Sequence, residues 1–218
     1  MNKTKAEYWE NYRSHVLCID YHEDFMIWWD AKKFDWSHSD LLAEYCSEYI
    51  SIWWDASKFN WKRGSFALAK YCSKNFLLWW DKNFFNWNKS VFGLARYCGA
   101  YFNIWWDAEK FDWSSSKFLA KGCSKDFKVW WDPDKFLSEH YWALAKYCPD
   151  YADEWWDEDK YCWDCVYNLD SRYAVRISDS KLKRLLFHPE ESTRSFAKRI
   201  LKQRREAEQQ DSKEAEND

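Results

Sequence analysis

The tripeptide Trp-Trp-Asp recurs six times, starting at Trp28, Trp53, Trp79, Trp105, Trp130 and Trp155, with spacings of 25, 26, 26, 25 and 25 residues. A period this short leaves each unit room for one supersecondary element, too small to bury its own apolar face, so neighbouring units must stack. The rest of the unit is as regular. Cys46, Cys72, Cys98, Cys123 and Cys148 each precede the first Trp by seven residues, whereas Cys18 precedes Trp28 by ten, which reads as a three-residue insertion. Four residues beyond each Asp stands an aromatic: Phe34, Phe59, Phe85, Phe111, Phe136 or Tyr161. A third tryptophan follows two further on (Trp36, Trp61, Trp87, Trp113, Trp163), replaced by Ser138 in the fifth unit.

Within the unit 62–87, Phe66, Ala69 and Cys72 lie three apart with Leu68 four before Cys72, a helical stripe. Phe76, Trp79 and Trp80 form a second one at i, i+3 and i+4. Ser73 between them is replaced by Gly99 and Pro149 elsewhere, residues that suit a chain reversal. Phe and Trp then alternate at period two, as in an extended connector. Helices of two to three turns are marginal alone, so the expected fold is an all-α helical repeat solenoid of about seven such units with capping helices. Only 4 Gly and 3 Pro argue against an all-β sandwich. The 19 Trp, 14 Tyr and 15 Phe supply a core of few, bulky pieces.

The unit resembles a short HEAT-type or leucine-rich-repeat-variant repeat, over roughly residues 13–202. The resemblance is one of architecture, and it implies macromolecule binding on a curved surface. The sequence itself divides into a cap (1–18, with Trp9 and Tyr12), the Trp-Trp-Asp array (19–163), a degenerate repeat with a basic capping helix (164–205), and an expected disordered acidic tail (206–218). In the degenerate repeat Leu186-Phe187-His188 takes the place of Trp-Trp-Asp, and the capping helix is expected over about 192–205. Charge follows the same division. Residues 1–170 carry 21 Lys+Arg against 27 Asp+Glu, residues 171–205 carry 11 against 3, and residues 206–218 carry 1 against 6. The first 20 residues hold charges throughout, unlike a secretory leader. No apolar run approaches the ~20 residues of a spanning helix. A soluble, cytoplasmic chain with no membrane partner is expected; oligomeric state is left open.

Each chemistry-bearing residue type has a packing role to weigh against a functional one. Cysteine at one fixed helical position per unit behaves as a small buried hydrophobe, so neither disulfides nor a cofactor are expected. Cys162-Trp163-Asp164-Cys165 could join Cys148 and His140 or His188 around zinc, but a second close-spaced ligand pair is missing, and no metal is expected. The Asp of each Trp-Trp-Asp suits backbone capping at a helix-to-loop junction, with Lys33, Lys58, Lys110, Lys135 and Lys160 three residues on to neutralise it. Adjacent tryptophans on a helix sit about 100° apart: one faces the core, the other a repeat seam or an exposed row.

Positions two, three and five beyond each Cys vary freely, and they are solvated surface unless the second helix lines an inner curve. On the latter reading Lys74, Asn75, Tyr101, Asn103, Lys125, Lys128, Asp150, Tyr151 and Asp153 are the candidate partner contacts. Lys181, Lys183, Arg184, Arg194, Lys198 and Arg199 form the alternative, a basic segment for nucleic acid or an acidic partner. Phosphate loops, nucleophile elbows and HExxH are absent, and the five His share no repeat position. The expected function is therefore non-enzymatic: a protein-binding scaffold, inhibitor or adaptor that occupies one target, for which a phage or mobile-element antagonist of host defence is a compatible setting.

Overall fold

The computed structural model describes residues 3–169 and 171–215. Residues 1–2, 170 and 216–218, which belong to the expected cap, degenerate repeat and acidic tail, lie outside the described residues. Helices form all the regular structure among the described residues, and the chain divides into two units, Met1–Asp126 and Phe127–Asp218.

In the first unit a helix Lys5–Asn11, started by a Thr4–Glu7 capping box, precedes the repeats. The first helices of successive repeats are Ser14–Asp20, Ser39–Tyr45, Trp61–Tyr71, Trp87–Tyr97 and Ser116–Gly122, and each packs on the next in chain order. A single 3-10 turn then leads into a four-residue helix: Phe25–Trp28, Ile50–Trp53, Phe76–Trp79 or Phe102–Trp105.

The seven-residue spacing has a direct cause. The first helix ends with carbonyls that lack intrahelical donors, and the buried indole of the following Trp supplies one. Trp53 Nε1 donates to Cys46 O at 2.8 Å, Trp79 to Cys72 O at 2.8 Å, and Trp105 to Cys98 O at 2.9 Å. In the first repeat Trp28 donates instead to Tyr21 O at 2.7 Å. Tyr21 is also the C-cap there, as Cys46 is in the next repeat. The first repeat thus contains no insertion. Tyr21 is the counterpart of Cys46, and Cys18 stands one turn earlier, where Ala43 stands next.

Two further kinds of bond tie repeat to repeat. Ser14, Ser39 and Ser65 Oγ accept from the backbone N–H of Asp35, Asn60 and Asn86, at 2.8, 2.8 and 3.0 Å. The thiols of Cys72, Cys98 and Cys123 donate to the carbonyls of Ala43, Ala69 and Ala95, at 3.6, 3.5 and 3.6 Å. Backbones approach most closely at Gly122, where a Cβ would lie 1.8 Å from Ala95 O.

In the second unit, Phe127–Trp130, Tyr141–Tyr147 and Ala152–Trp155 continue the pattern. The place left by the missing tryptophan at Ser138 is taken by Tyr141, 1% exposed, whose ring meets Trp131 and Phe136 at 6.2 and 5.8 Å. In the degenerate repeat the Tyr173 hydroxyl donates to Ala145 O at 3.0 Å, the bond a cysteine thiol makes to an alanine carbonyl elsewhere. The last helix is Glu191–Ala215 and buries Thr193, Phe196, Ala197, Ile200 and Leu201, an i, i+3, i+4 stripe. Residues 206–215, expected from composition to lack structure, continue this helix. Glu, Gln, Lys and Ala are strong helix formers, and a Lys202–Glu206 pair at 3.6 Å bridges one turn.

Candidate interaction surface

Most of the repeated motif is spent on packing. The Oδ1 of Asp30, Asp55, Asp81, Asp107, Asp132 and Asp157 accepts from the backbone N–H two residues on, at 2.8–3.1 Å. These are Asx turns that start the connector. Bonds from the connector hold the Asp30 and Asp55 carboxyls below the usual range; the largest contribution comes from the Lys32 N–H at Asp30 and from the Ser57 hydroxyl at Asp55. Lys58 and Lys135 pair with Asp55 and Asp132 at 3.1 and 3.4 Å.

The doubled tryptophans divide unequally. Trp28, Trp53, Trp79, Trp105, Trp130 and Trp155 are fully buried. Trp29, Trp80, Trp106 and Trp131 are half-buried, each stacked 5.0–5.3 Å from the Phe that opens its own second helix. Neither member supplies an exposed row.

The row that does face water is aliphatic. In a four-residue helix whose first and last residues are buried, the middle pair must point outward, because i and i+3 share a face. At the third position this exposes Ile27, Ile52 (49%), Leu78 (46%) and Ile104 (52%) in four successive repeats of the first unit. Met26 (64%) and Leu77 (70%) widen it at the second position. An aliphatic residue thus stands about half exposed at the same place in four successive repeats, which makes the row the candidate interaction surface of this unit. Sequence reasoning missed this row. Its signal was present in the aliphatic residue that always precedes the buried Trp here, but the runs Phe25–Trp29 and Phe76–Trp80 are apolar throughout and do not show which members face out.

In the second unit the corresponding positions are more polar. Val129 is exposed beside Lys128, and Asp153 with Glu154 occupies the next repeat. Lys128 pairs with Glu154 at 3.5 Å and Asp153 with Arg176 at 2.6 Å.

The expected partner contacts therefore separate into three groups. Lys74, Asn75 and Asn103 are exposed on the second-helix segments of the first unit beside the aliphatic row, and Lys125 and Asp150 are also exposed. Lys128 and Asp153 are exposed but ion-paired. Tyr101 and Tyr151 are half-buried packing residues, their rings nearly parallel to Phe76 and Phe127 of the preceding repeat at 4.7 and 4.5 Å.

The basic C-terminal segment also divides. Lys181 is buried, donates to Asp159 at 2.9 Å and lies 5.6 Å from the Trp163 ring. Arg194 donates to the carbonyls of His188 and Pro189. Lys183, Arg184, Lys198 and Arg199 are exposed.

All eight thiols are free. Burial pushes Cys72, Cys98 and Cys148 up to about 12. The bond with Cys46, with burial second, raises Cys18. Cys162 and Cys165 are half-buried, and His188 lies 3.6 Å from Asp164. Among the described residues no group of three or more His, Cys, Asp or Glu side chains is arranged to hold a metal ion. No helix of the described residues is long and apolar enough to cross a membrane. The chain matches no known family model, no curated protein and no solved structure.

Proposed function

We propose that this chain is a non-enzymatic scaffold that acts by occupying a protein target, and that the target's apolar surface covers the row Ile27, Ile52, Leu78 and Ile104. The observation that carries the reading is the recurrence of an exposed aliphatic side chain at one register position of four successive repeats. Met26 and Leu77 extend the apolar strip, while Lys74 and Asn103 beside it supply polar discrimination of the kind found at interface rims. Fully covering an aliphatic side chain contributes about 1.5–3 kcal/mol. Half-exposed residues contribute less, roughly 1 kcal/mol each, so several acting together are needed for a stable complex.

The test is the double variant Ile52→Ser with Leu78→Ser. Both residues are exposed, so the helical signal and melting temperature should stay near those of the parent. Binding to the protein that the tagged parent captures should weaken by roughly 30-fold, from about 2 kcal/mol of lost burial. A double variant that binds the captured protein as well as the parent does would refute the reading.

A further inference from the structure

The opposite layer of the first unit has a different character. The first helices Trp61–Tyr71 and Trp87–Tyr97, and the segment 113–122, contain no Asp or Glu, yet together they carry Lys62, Arg63, Lys70, Lys89, Arg96, Lys117 and Lys121. Helical spacing gathers these cations around one phenylalanine per helix. Lys62, Phe66 and Lys70 lie four apart, Lys89, Phe92 and Arg96 three and four apart, and Lys117 and Lys121 flank Phe118. The three phenylalanines touch in sequence. Phe66 and Phe92 lie 4.9 Å apart at 31°, and Phe92 and Phe118 lie 5.6 Å apart at 37°. All three rings are half-buried, so their remaining surface faces solvent between the cations.

Three of the cations are held against rings rather than against carboxylates. Arg96 lies 5.2 Å from the Tyr97 ring and 5.8 Å from Phe118, Lys117 lies 5.5 Å from Phe118, and Lys70 lies 4.4 Å from Tyr71. Arg63 pairs with Asp40 at 3.0 Å, which bounds the face on the side of the preceding repeat. Lys62, Lys89, Arg96, Lys117 and Lys121 form no ion pair among the described residues.

We propose that this first-helix face, residues 61–122, binds single-stranded nucleic acid. The unpaired cations take the phosphates, and the Phe66–Phe92–Phe118 row takes unstacked bases. Charge selects a polyanion. The rings select one with planar faces free to stack, as single strands have and duplexes do not. The face is distinct from the aliphatic row on the second helices, so this activity stands or falls separately from the scaffold reading.

The test is fluorescence anisotropy of the full chain with a labelled oligothymidylate of about 15 nucleotides, near the upper end of single-strand platform sites. Binding at low salt is expected, with log K falling against log salt at a slope of about −3.5 for five phosphate contacts on a single strand. That corresponds to roughly hundredfold weakening between about 50 and 200 mM salt. Lys89→Gln with Lys121→Gln should reduce the slope by about 1.4. Phe92→Leu should weaken binding about tenfold and leave the slope unchanged. Ile52→Ser with Leu78→Ser should bind the oligonucleotide as the parent does. Absence of binding at low salt overturns the proposal. Equal binding of polyglutamate in competition, or of a duplex of the same length, overturns it as well. So does a loss confined to the quadruple Gln variant of Lys183, Arg184, Lys198 and Arg199, which would place the site on the C-terminal segment.

Discussion

Replacing Trp79 and Trp80 separately with Phe sets two adjacent tryptophans against each other. Trp79 is 1% exposed and its indole donates to Cys72 O at 2.8 Å. That carbonyl also accepts from the Asn75 N–H at 3.0 Å, so it is not orphaned when the indole leaves. The lost bond is worth the low end of the buried range, about 1 kcal/mol. The missing ring leaves a void against Phe76 and Phe85, whose centroids lie 5.0 and 6.5 Å away, and adds about 1.5–3 kcal/mol. Trp79→Phe should therefore cost roughly 2.5–4 kcal/mol. Trp80 is half-buried and stacks on Phe76 at 5.1 Å and 19°, a contact that a phenyl ring retains. Trp80→Phe should cost no more than about 1 kcal/mol. Urea denaturation followed by far-UV circular dichroism reads both free energies without relying on the tryptophans themselves. If the Trp80 variant is destabilised as much as the Trp79 variant, the assignment of one to the core and the other to a half-buried stack on Phe76 is wrong.

Two more perturbations probe the stack. Gly122→Ala places a methyl against Ala95 O, a backbone atom that cannot swing aside, so it should destabilise the protein by about 1–3 kcal/mol; a melting temperature unchanged from the parent would refute the close approach. Burial raises the Cys72, Cys98 and Cys148 thiols to about 12, above an unfolded value near 9. The folded state thus favours the neutral form, and the stabilisation is complete below about pH 9 and is lost as pH rises towards 12. Urea midpoints should fall over that window, and iodoacetamide at pH 8 should modify Cys162 and Cys165 well before these three. Rapid native alkylation of Cys98 would contradict its burial.

The helical repeat was legible because its constraints are local and repeated. The Asp of each Trp-Trp-Asp reads correctly as a connector cap, since an Asx turn needs only that side chain and the backbone two residues on. The register of the first repeat was not legible. Cys18 looks like the aligned residue, yet the conserved physical requirement is a carbonyl seven residues before the buried indole, and at Tyr21 any residue type can provide one. Tyr101 and Tyr151 show a related limit: the position varies from repeat to repeat, yet these two rings stack on Phe76 and Phe127. Variation in type did not mean freedom from packing.

The same bookkeeping separates what holds the repeats from what they offer. The indole-to-carbonyl bond, the serine bond to the next connector, the thiol-to-alanine bond and the Asx turn together use the first Trp, the Ser, the Cys and the Asp of a repeat. None of them uses the middle pair of the four-residue helix. In the first unit the third position remains aliphatic while the second runs through Met26, Ser51, Leu77 and Asn103. The scaffold proposal rests on that third position, which makes none of these bonds and stays aliphatic while about half exposed across four repeats. On that proposal its neighbour, changing at every repeat, is where discrimination between partners would lie. On the first helices the phenylalanines and cations of residues 61–122 show the same separation, outside the buried Ser65, Leu68 and Ala69 side of the helix. Substitutions of the cations there and of the aliphatic row should therefore alter binding at nearly constant stability, whereas Trp79→Phe should alter stability first.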